Sequence, residues 1–325
     1  MKTPLELLSL IQGQPVLCVG DIMLDLYIYG QAHRISPEAP VPVVRLTRRL
    51  LALGGAGNVV KNLGALKAAP RTVCLTGDDA RVDDLMRLFK HAGLADPVFI
   101  RDPTRPTSVK TRIIAGIQQV VRFDEEDDRP LEGRLAEELL AAVRDILPEV
   151  RAVALSDYGK GCLTDSFLGA ILDLAQNAGC PVVVDPKGRD YRRYRGATLV
   201  TPNRVELAEA VGRPVGTTEE LESAGRELMT VCGLANLLVT LSEDGMMLLS
   251  SSQPEPVFLP SQAREVFDVS GAGDTVAAVM AAALAAGAPL DLGARLANLA
   301  AGVVVGKVGT ATPTPEEIAA QPGPL

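Results

Sequence analysis

The run Ser270-Gly271-Ala272-Gly273-Asp274 joins a stretch of unobstructed backbone N–H groups to one carboxylate, a combination suited to moving a phosphoryl group. A small-residue apolar segment, 275–286, follows at once, so a strand or loop is expected to enter a helix here. Glycines at 271 and 273 leave the first-turn donors open, and those donors with the helix dipole attract an anion. A carboxylate at such a place repels the anion unless it has another task. With a substrate hydroxyl between Asp274 and a transferring phosphoryl group, the carboxylate takes the hydroxyl proton while the Gly271, Ala272 and Gly273 backbone holds the developing charge. The alternative is that Asp274 only caps the helix, a common position for Asp.

Other polar residues stand where short apolar runs end. The run 15–20 reads as a buried strand closing on Asp21, with a second carboxylate at Asp25; such a pair binds sugar hydroxyls or solvates a loop. Gly54, Gly55 and Gly57 permit close approach to the backbone, and Asn58 offers both a donor and an acceptor; close helix packing is the plainer reading. Later strand-like runs end at Asp157, at Asp185 with Lys187 beyond it, at Asn203 and at Thr240, ahead of a polar turn containing Gly245. Asp21, Asp157, Asp185, Asn203, Thr240 and Asp274 are therefore expected over one crevice at the C-terminal edge of a sheet. Asn203 and Glu206, three apart on a helical turn, suit magnesium and its waters. Lys110, Arg112, Arg122, Lys160 and Lys187 are candidate phosphate partners, with ordinary surface placement the alternative for each.

The elements needed to position these groups are visible as a rhythm of apolar strands and amphipathic helices. That rhythm predicts a doubly wound α/β domain spanning 1–325, with a mostly parallel sheet and helices on both faces. Two stretches break it. Prolines 37, 40 and 42 exclude a helix in the first, and the second alternates about Gly116 like a hairpin. Together, at about 22–50 and 105–124, they are expected to form a small β-sheet lid whose open apolar face favours pairing into a homodimer.

Composition narrows the partners. At 325 residues, 47% hydrophobic and 22% charged, the chain is that of an ordinary globular protein. A net charge of −8 disfavours non-specific binding to nucleic acid or anionic lipid, and 3% aromatics without Trp gives no platform for stacking bases. An anionic substrate must then be met by local Arg and Lys. Cysteines 18, 74, 162, 180 and 232 are scattered and unpaired in pattern, which fits reduced thiols. No leader and no membrane-length apolar run is evident, so a cytoplasmic location is expected.

With GGAGN at 54–58, NRVE at 203–206 and DVSGAGD at 268–274 in that order, the chain resembles the ribokinase-like, or PfkB, family of carbohydrate kinases over about 15–312. The resemblance implies ATP and a sugar as substrates, magnesium as cofactor, and a β lid often used for dimerisation. It implies Asp274 as catalytic base beside the 271–273 anion hole, with Asp25, Gly55 and Asn58 among the sugar contacts. The sugar side is expected to draw also on Asp21, Gly54, Lys110, Arg112, Arg122, Asp185 and Lys187. ATP is expected against Asn203, Glu206, Thr240, Gly245, Gly271, Gly273, Asn298, Ala301 and Gly302, and Asp268 is the candidate for a monovalent cation such as K+. Ser270 replaces a more usual Thr and Gly57 a more usual Ala; the Ser keeps a hydroxyl.

Longer strings, GDIMLDLYIYGQAHRISPEAPVPVV, LSDYGKGCLT, DPKGRDYRRYRGATLVTPNRVEL and AAGVVVGKVGT, resemble the heptose kinase branch of that family. They imply phosphorylation of D-glycero-β-D-manno-heptose 7-phosphate at its anomeric C1 hydroxyl, giving the 1,7-bisphosphate in lipopolysaccharide inner-core and ADP-heptose synthesis. A related kinase acting on a fructose phosphate or ribose is the alternative, and a non-catalytic sugar-binding regulator a more distant one. Many members of the branch carry a fused adenylyltransferase with an HxGH motif; the histidines here are His33 and His91, so a monofunctional kinase is expected.

Overall fold

Alternate residues of each apolar strand enter two separate cores, and this alternation builds a sheet covered on both faces. The computed structural model describes residues 3–263, 265–307 and 309–321, so the outermost parts of the expected 1–325 span lie outside the described residues. Its strands are β1 (Pro15–Ile35), β2 (Pro42–Gly55), β3 (Ala69–Gly77), β4 (Val98–Asp102), β5 (Val109–Ala115), β6 (Gln118–Glu125), β7 (Ala152–Ser156), β8 (Val182–Asp185), β9 (Leu199–Val200), β10 (Asn236–Thr240), β11 (Met246–Ser250) and β12 (Gln253–Leu259). The main sheet runs β12-β11-β10-β9-β8-β7-β1-β3-β4, parallel from β10 to β4 and antiparallel at the β10–β11–β12 end.

Val16 and Cys18 of β1 join Ala152 and Ala154 of β7 beneath the helices Ala56–Ala65, Ala272–Ala285 and Leu290–Val304. Leu17 and Val19 join Val153 and Leu155 on the opposite face, against Gly133–Ile146, Asp165–Asn177 and Thr218–Cys232. The expected doubly wound arrangement is therefore present. No helix among the described residues is long and apolar enough to cross a membrane.

The sequence pattern ends the first strand at Asp21, whereas β1 continues unbroken to Ile35. Its first part pairs with β3 and β7; from Ile22 it pairs antiparallel with β2, and from Leu24 parallel with β5. A second sheet, β2-β1-β5-β6, thus grows out of the first on a shared strand, with the β5–β6 turn at Gly116 in the left-handed region, φ 64°. Register places Asp25, Tyr27, Lys110, Arg112, Arg122 and Asp124 on one face of this smaller sheet. Exposed apolar residues remain on the β1–β2 and β6 segments, among them Ile35, Leu46, Val121 and Phe123.

The passage from one sheet to the other is close-packed at Gly20. Its φ is 156°, and a Cβ there would lie 2.1 Å from the Ser156 carbonyl oxygen on neighbouring β7. Backbone cannot yield as a side-chain tip can. Gly20→Ala is therefore expected to destabilise the fold by about 2–4 kcal/mol, through overpacking and backbone strain. Chemical denaturation of the purified variant checks this; an unchanged midpoint would contradict it.

Candidate active site

Gly271 turns the chain into the helix Ala272–Ala285 with φ 81°, and a Cβ at that position would lie 2.5 Å from Asn58 Nδ2. Two constraints, dihedral and space, thus require glycine at the start of this helix. The first-turn residue Asp274 is 4% exposed. Asn58 Nδ2 donates to its Oδ2 at 2.7 Å, and the Tyr158 hydroxyl donates to its Oδ1 at 3.0 Å. No side-chain bond caps the helix, so Asp274 is held for something other than capping. A loop, and not a strand end, delivers it: β12 finishes at Leu259 and irregular chain intervenes. That corrects the expectation of six polar groups at six strand ends.

The donors to Asp274 are themselves fixed. Asn62 Nδ2 donates to the Asn58 carbonyl oxygen at 2.9 Å, and the Thr275 hydroxyl donates to Asn62 Oδ1 at 3.0 Å. Tyr158 sits on the 157–162 loop, which Asp21 gathers by accepting from the N–H groups of Tyr158, Lys160 and Cys162 at 2.9, 3.0 and 3.1 Å. Asp157 braces the same loop, accepting from Gly159 N at 2.9 Å and from the Tyr194 hydroxyl at 2.7 Å. Burial pushes the Asp274 carboxyl up to about 7 against the pull of Asn58 and Tyr158, with the Asp25 charge pushing the same way. Asp185 is raised well above the carboxylate range by burial and then by Asp274. A Cβ on Gly273 would lie 3.8 Å from Asp185 Oδ1, so the two carboxylates flank the helix start.

A cavity of about 530 Å³ opens beside Ala272 and Gly273. Its lining includes the polar Asp185, Lys187, Asn203, Glu206 and Thr240, with Gly245 close to Ser242, and the apolar Val266, Val269, Ala301 and Val305, with Asn298 and Gly302. The residues assigned to ATP from the sequence are thus largely brought together. The basic face of the lid reaches Asp274 through the charge of Asp25; on that face Arg112 pairs with Asp25 and stacks over Tyr27 with its guanidinium carbon 5.2 Å from the ring centroid.

Several assigned roles change. Asp21 is corrected from a substrate contact to a clamp, because both its oxygens are taken by backbone donors. Asn58 is fully buried and its amide donates to Asp274, so it positions that carboxylate. Gly54 and Gly55 make room for carboxyl and carbonyl groups of β1: a Cβ would lie 2.6 Å from Asp25 Oδ2 or 2.4 Å from Asp21 O. Asn203 and Glu206 close a capping box on the helix Arg204–Val211, leaving Glu206 Oε1 turned toward Lys187 Nζ at 3.5 Å. Asn298 donates to the Pro260 carbonyl at 2.7 Å, and so shapes the cavity wall. Asp268 accepts from Ser270 N and Gly309 N, both at 2.9 Å, tying the loop before the helix to the 309–312 segment. Arg122 is more than half exposed and pairs with Asp124. Tyr158 is absent from the sequence-based assignment; its loop enters there only within the string LSDYGKGCLT, and no spacing points its phenol at residue 274.

The pfkB family carbohydrate kinase model matches residues 14–317. The chain belongs to the pfkB family of carbohydrate kinases. Among curated relatives of this family member, the bifunctional protein HldE of Paramagnetospirillum magneticum is 48% identical over 313 residues, and that of Rhodospirillum rubrum 48% over 306. Those alignments cover 96% and 94% of this chain but 64% and 62% of the relatives, so the chain spans less than two thirds of their length. An Arabidopsis thaliana ribokinase complexed with ribose and ATP superposes with TM-score 0.76 at 20% identity, covering 94% of this chain and 98% of that one. Phosphofructokinase-2 from Escherichia coli in complex with potassium gives 0.75 at 19%, covering 94% and 97%. Both share the fold.

The buried carboxyl makes opposite demands on stability and activity. Its folded-state value lies above the ordinary 3.8, so its contribution to stability is complete below pH 3.8 and is lost as pH rises through about 7. If Asp274 serves as a base it must be ionised, and the acid limb of kcat/KM is then expected near pH 7. Tyr158→Phe removes a donor that favours ionisation, and the limb should move to higher pH. A pH–rate profile of that variant superposable on wild type would contradict this placement of Tyr158.

Proposed function

We propose that the chain catalyses in-line transfer of the ATP γ-phosphoryl group to the anomeric C1 hydroxyl of D-glycero-β-D-manno-heptose 7-phosphate. The observation that carries the reaction class is Asp274: a buried carboxylate in the first turn of a helix whose start, at Ala272 and Gly273, lines a large cavity. The long heptose-kinase-like strings and the 48% identity to bifunctional HldE proteins support the choice of sugar.

In this reading Asp274 accepts the C1 hydroxyl proton as the oxygen attacks the γ-phosphorus. The new bond is C1–O–P; the bond to the β-phosphate oxygen breaks and ADP leaves with that electron pair. Backbone N–H groups of Gly271, Gly273 and Asp274 hold the charge on the transferring group, Ala272 being corrected from that role because its N–H donates to the Val269 carbonyl at 3.3 Å, and closure of the lid keeps water from competing. Arg112 and Lys110 hold the sugar phosphate, with Asp25 orienting a hydroxyl; Arg122 lies on the same face of the sheet. The carboxylates of Asp185 and Glu206 face one cavity and fit magnesium held through water, with Asn203 fixing Glu206. Magnesium, when bound, neutralises charge on the β- and γ-phosphates. A monovalent cation such as K+ is placed by the same reading near Asp268, whose carboxyl is buried enough to resist charge yet held below its usual range by Ser270 and Gly309.

The reading further treats 1–325 as one kinase domain with its lid from about 22–50 and 105–124, a homodimer through the exposed apolar residues of that lid, and a cytoplasmic setting. Exposed Leu46, Val121 and Phe123 support the dimer.

A coupled ADP-release assay with magnesium-ATP tests the substrate, set against fructose 6-phosphate, fructose 1-phosphate and ribose. Preference for the heptose with a 1,7-bisphosphate product is expected; faster turnover of another sugar would contradict the choice. Arg112→Ala should raise KM for the sugar phosphate by about 10- to 100-fold while leaving KM for ATP unchanged, as expected for a lost charge-assisted contact. The reverse pattern would assign Arg112 to the nucleotide.

A further inference from the structure

One carboxylate joins a lysine of the lid sheet to a lysine on a loop of the main domain. Glu126, just beyond β6, places Oε1 2.6 Å from Lys160 Nζ and Oε2 3.1 Å from Lys110 Nζ. Lys110 lies on lid strand β5 in register with Asp25, and Lys160 lies on the main-domain loop gathered by Asp21. The two ammonium groups converge there although their backbones belong to separate layers. Both lysine side chains are well covered, 15% and 19% exposed, so they are not solvated surface charges that happen to meet an acid. Glu126 belongs to an acidic run, 124–128, yet within it only Asp124 and Glu126 turn onto these lysines. Burial works against charge on Glu126, but Lys160 and Lys110 outweigh it and hold the carboxyl below its usual range.

We infer that Lys160 joins Lys110 and Arg112 in the subsite for the sugar's non-reacting phosphate, and that Glu126 is the counter-ion this phosphate displaces from the two lysines. The inference rests on the proposed reading of the substrate as a phosphorylated sugar. A phosphate dianion matches what the carboxylate now supplies, oxygen acceptors to two ammonium groups, and carries more charge. An unphosphorylated sugar has nothing to displace Glu126 with, so the exchange discriminates between the two by charge. Lys110 has a second partner in Asp124 at 3.0 Å, whereas Lys160 is paired through Glu126, so Lys160 is the cation most dependent on the incoming anion. Glu126 also ties lid to main domain in the absence of sugar phosphate, and the phosphate takes over that tie.

The test is a calorimetric titration of inorganic phosphate into the full chain, with the nucleotide site filled by a non-hydrolysable ATP analogue and magnesium. Glu126→Gln keeps the shape of the side chain and removes the competing charge, so phosphate should bind about tenfold tighter, the scale of a partly covered ion pair. Lys160→Met should weaken it by about tenfold or more, alone and combined with Glu126→Gln, for the loss of a charged hydrogen-bond donor. Unchanged or weaker binding in Glu126→Gln, or wild-type binding in Lys160→Met, overturns the inference. These titrations do not depend on turnover: the predicted shifts in an enzyme inactive on heptose phosphate would keep the subsite and reject the substrate.

Discussion

The Asp274 carboxylate lies between an amide 216 residues away and a phenol 116 residues away, at 2.7 and 3.0 Å. Burying a carboxylate without partners costs several kcal/mol, so the fold is held to the arrangement that supplies both donors. Asn58 arrives from the helix behind β2, and Tyr158 from the loop after β7. Asp274 itself arrives at the start of a helix that only glycine at 271 allows to lie so close to Asn58. Much of the surrounding polar structure serves this convergence: Asn62 and Thr275 lock the amide, while Asp21 and Asp157 hold the phenol's loop.

The second constraint is mechanical. Because β1 belongs to both sheets, the basic face of the lid is carried on the same strand as the clamp Asp21, four residues before Asp25. Residue positions on the lid are therefore referenced to the main sheet through continuous backbone. Across that junction the charges are balanced, Arg112 with Asp25, and Lys110 and Lys160 with Asp124 and Glu126. The site is thus kept neutral before an anion arrives, which limits repulsion among its cations while leaving them assembled.

Most of the fold was legible because burial on both faces leaves a strong mark: short apolar runs alternating with amphipathic helices yield a parallel sheet. The crevice beside Gly273 was legible for a related reason, since residues at strand ends such as Asp185 and Thr240 share one sheet edge by topology alone. The roles of Asp21 and Asn58 were not. A carboxylate binding sugar and one binding three backbone N–H groups look the same in sequence, and only the path of the 157–162 loop separates them. Tyr158 and Glu126 act through long-range pairings that leave no periodic trace. The unbroken course of β1 was also hidden, because its partner changes at Ile22 while its own backbone stays extended.

The most direct test of the central claim is single-turnover phosphoryl transfer by Asp274→Asn, with magnesium-ATP and the heptose 7-phosphate followed by phosphorus NMR. Loss of the base should slow formation of the anomeric phosphate by on the order of 10²- to 10⁴-fold while ATP still binds. Formation of that product at the wild-type rate would contradict the account, since the carboxylate around which the site is assembled would then not be moving the proton.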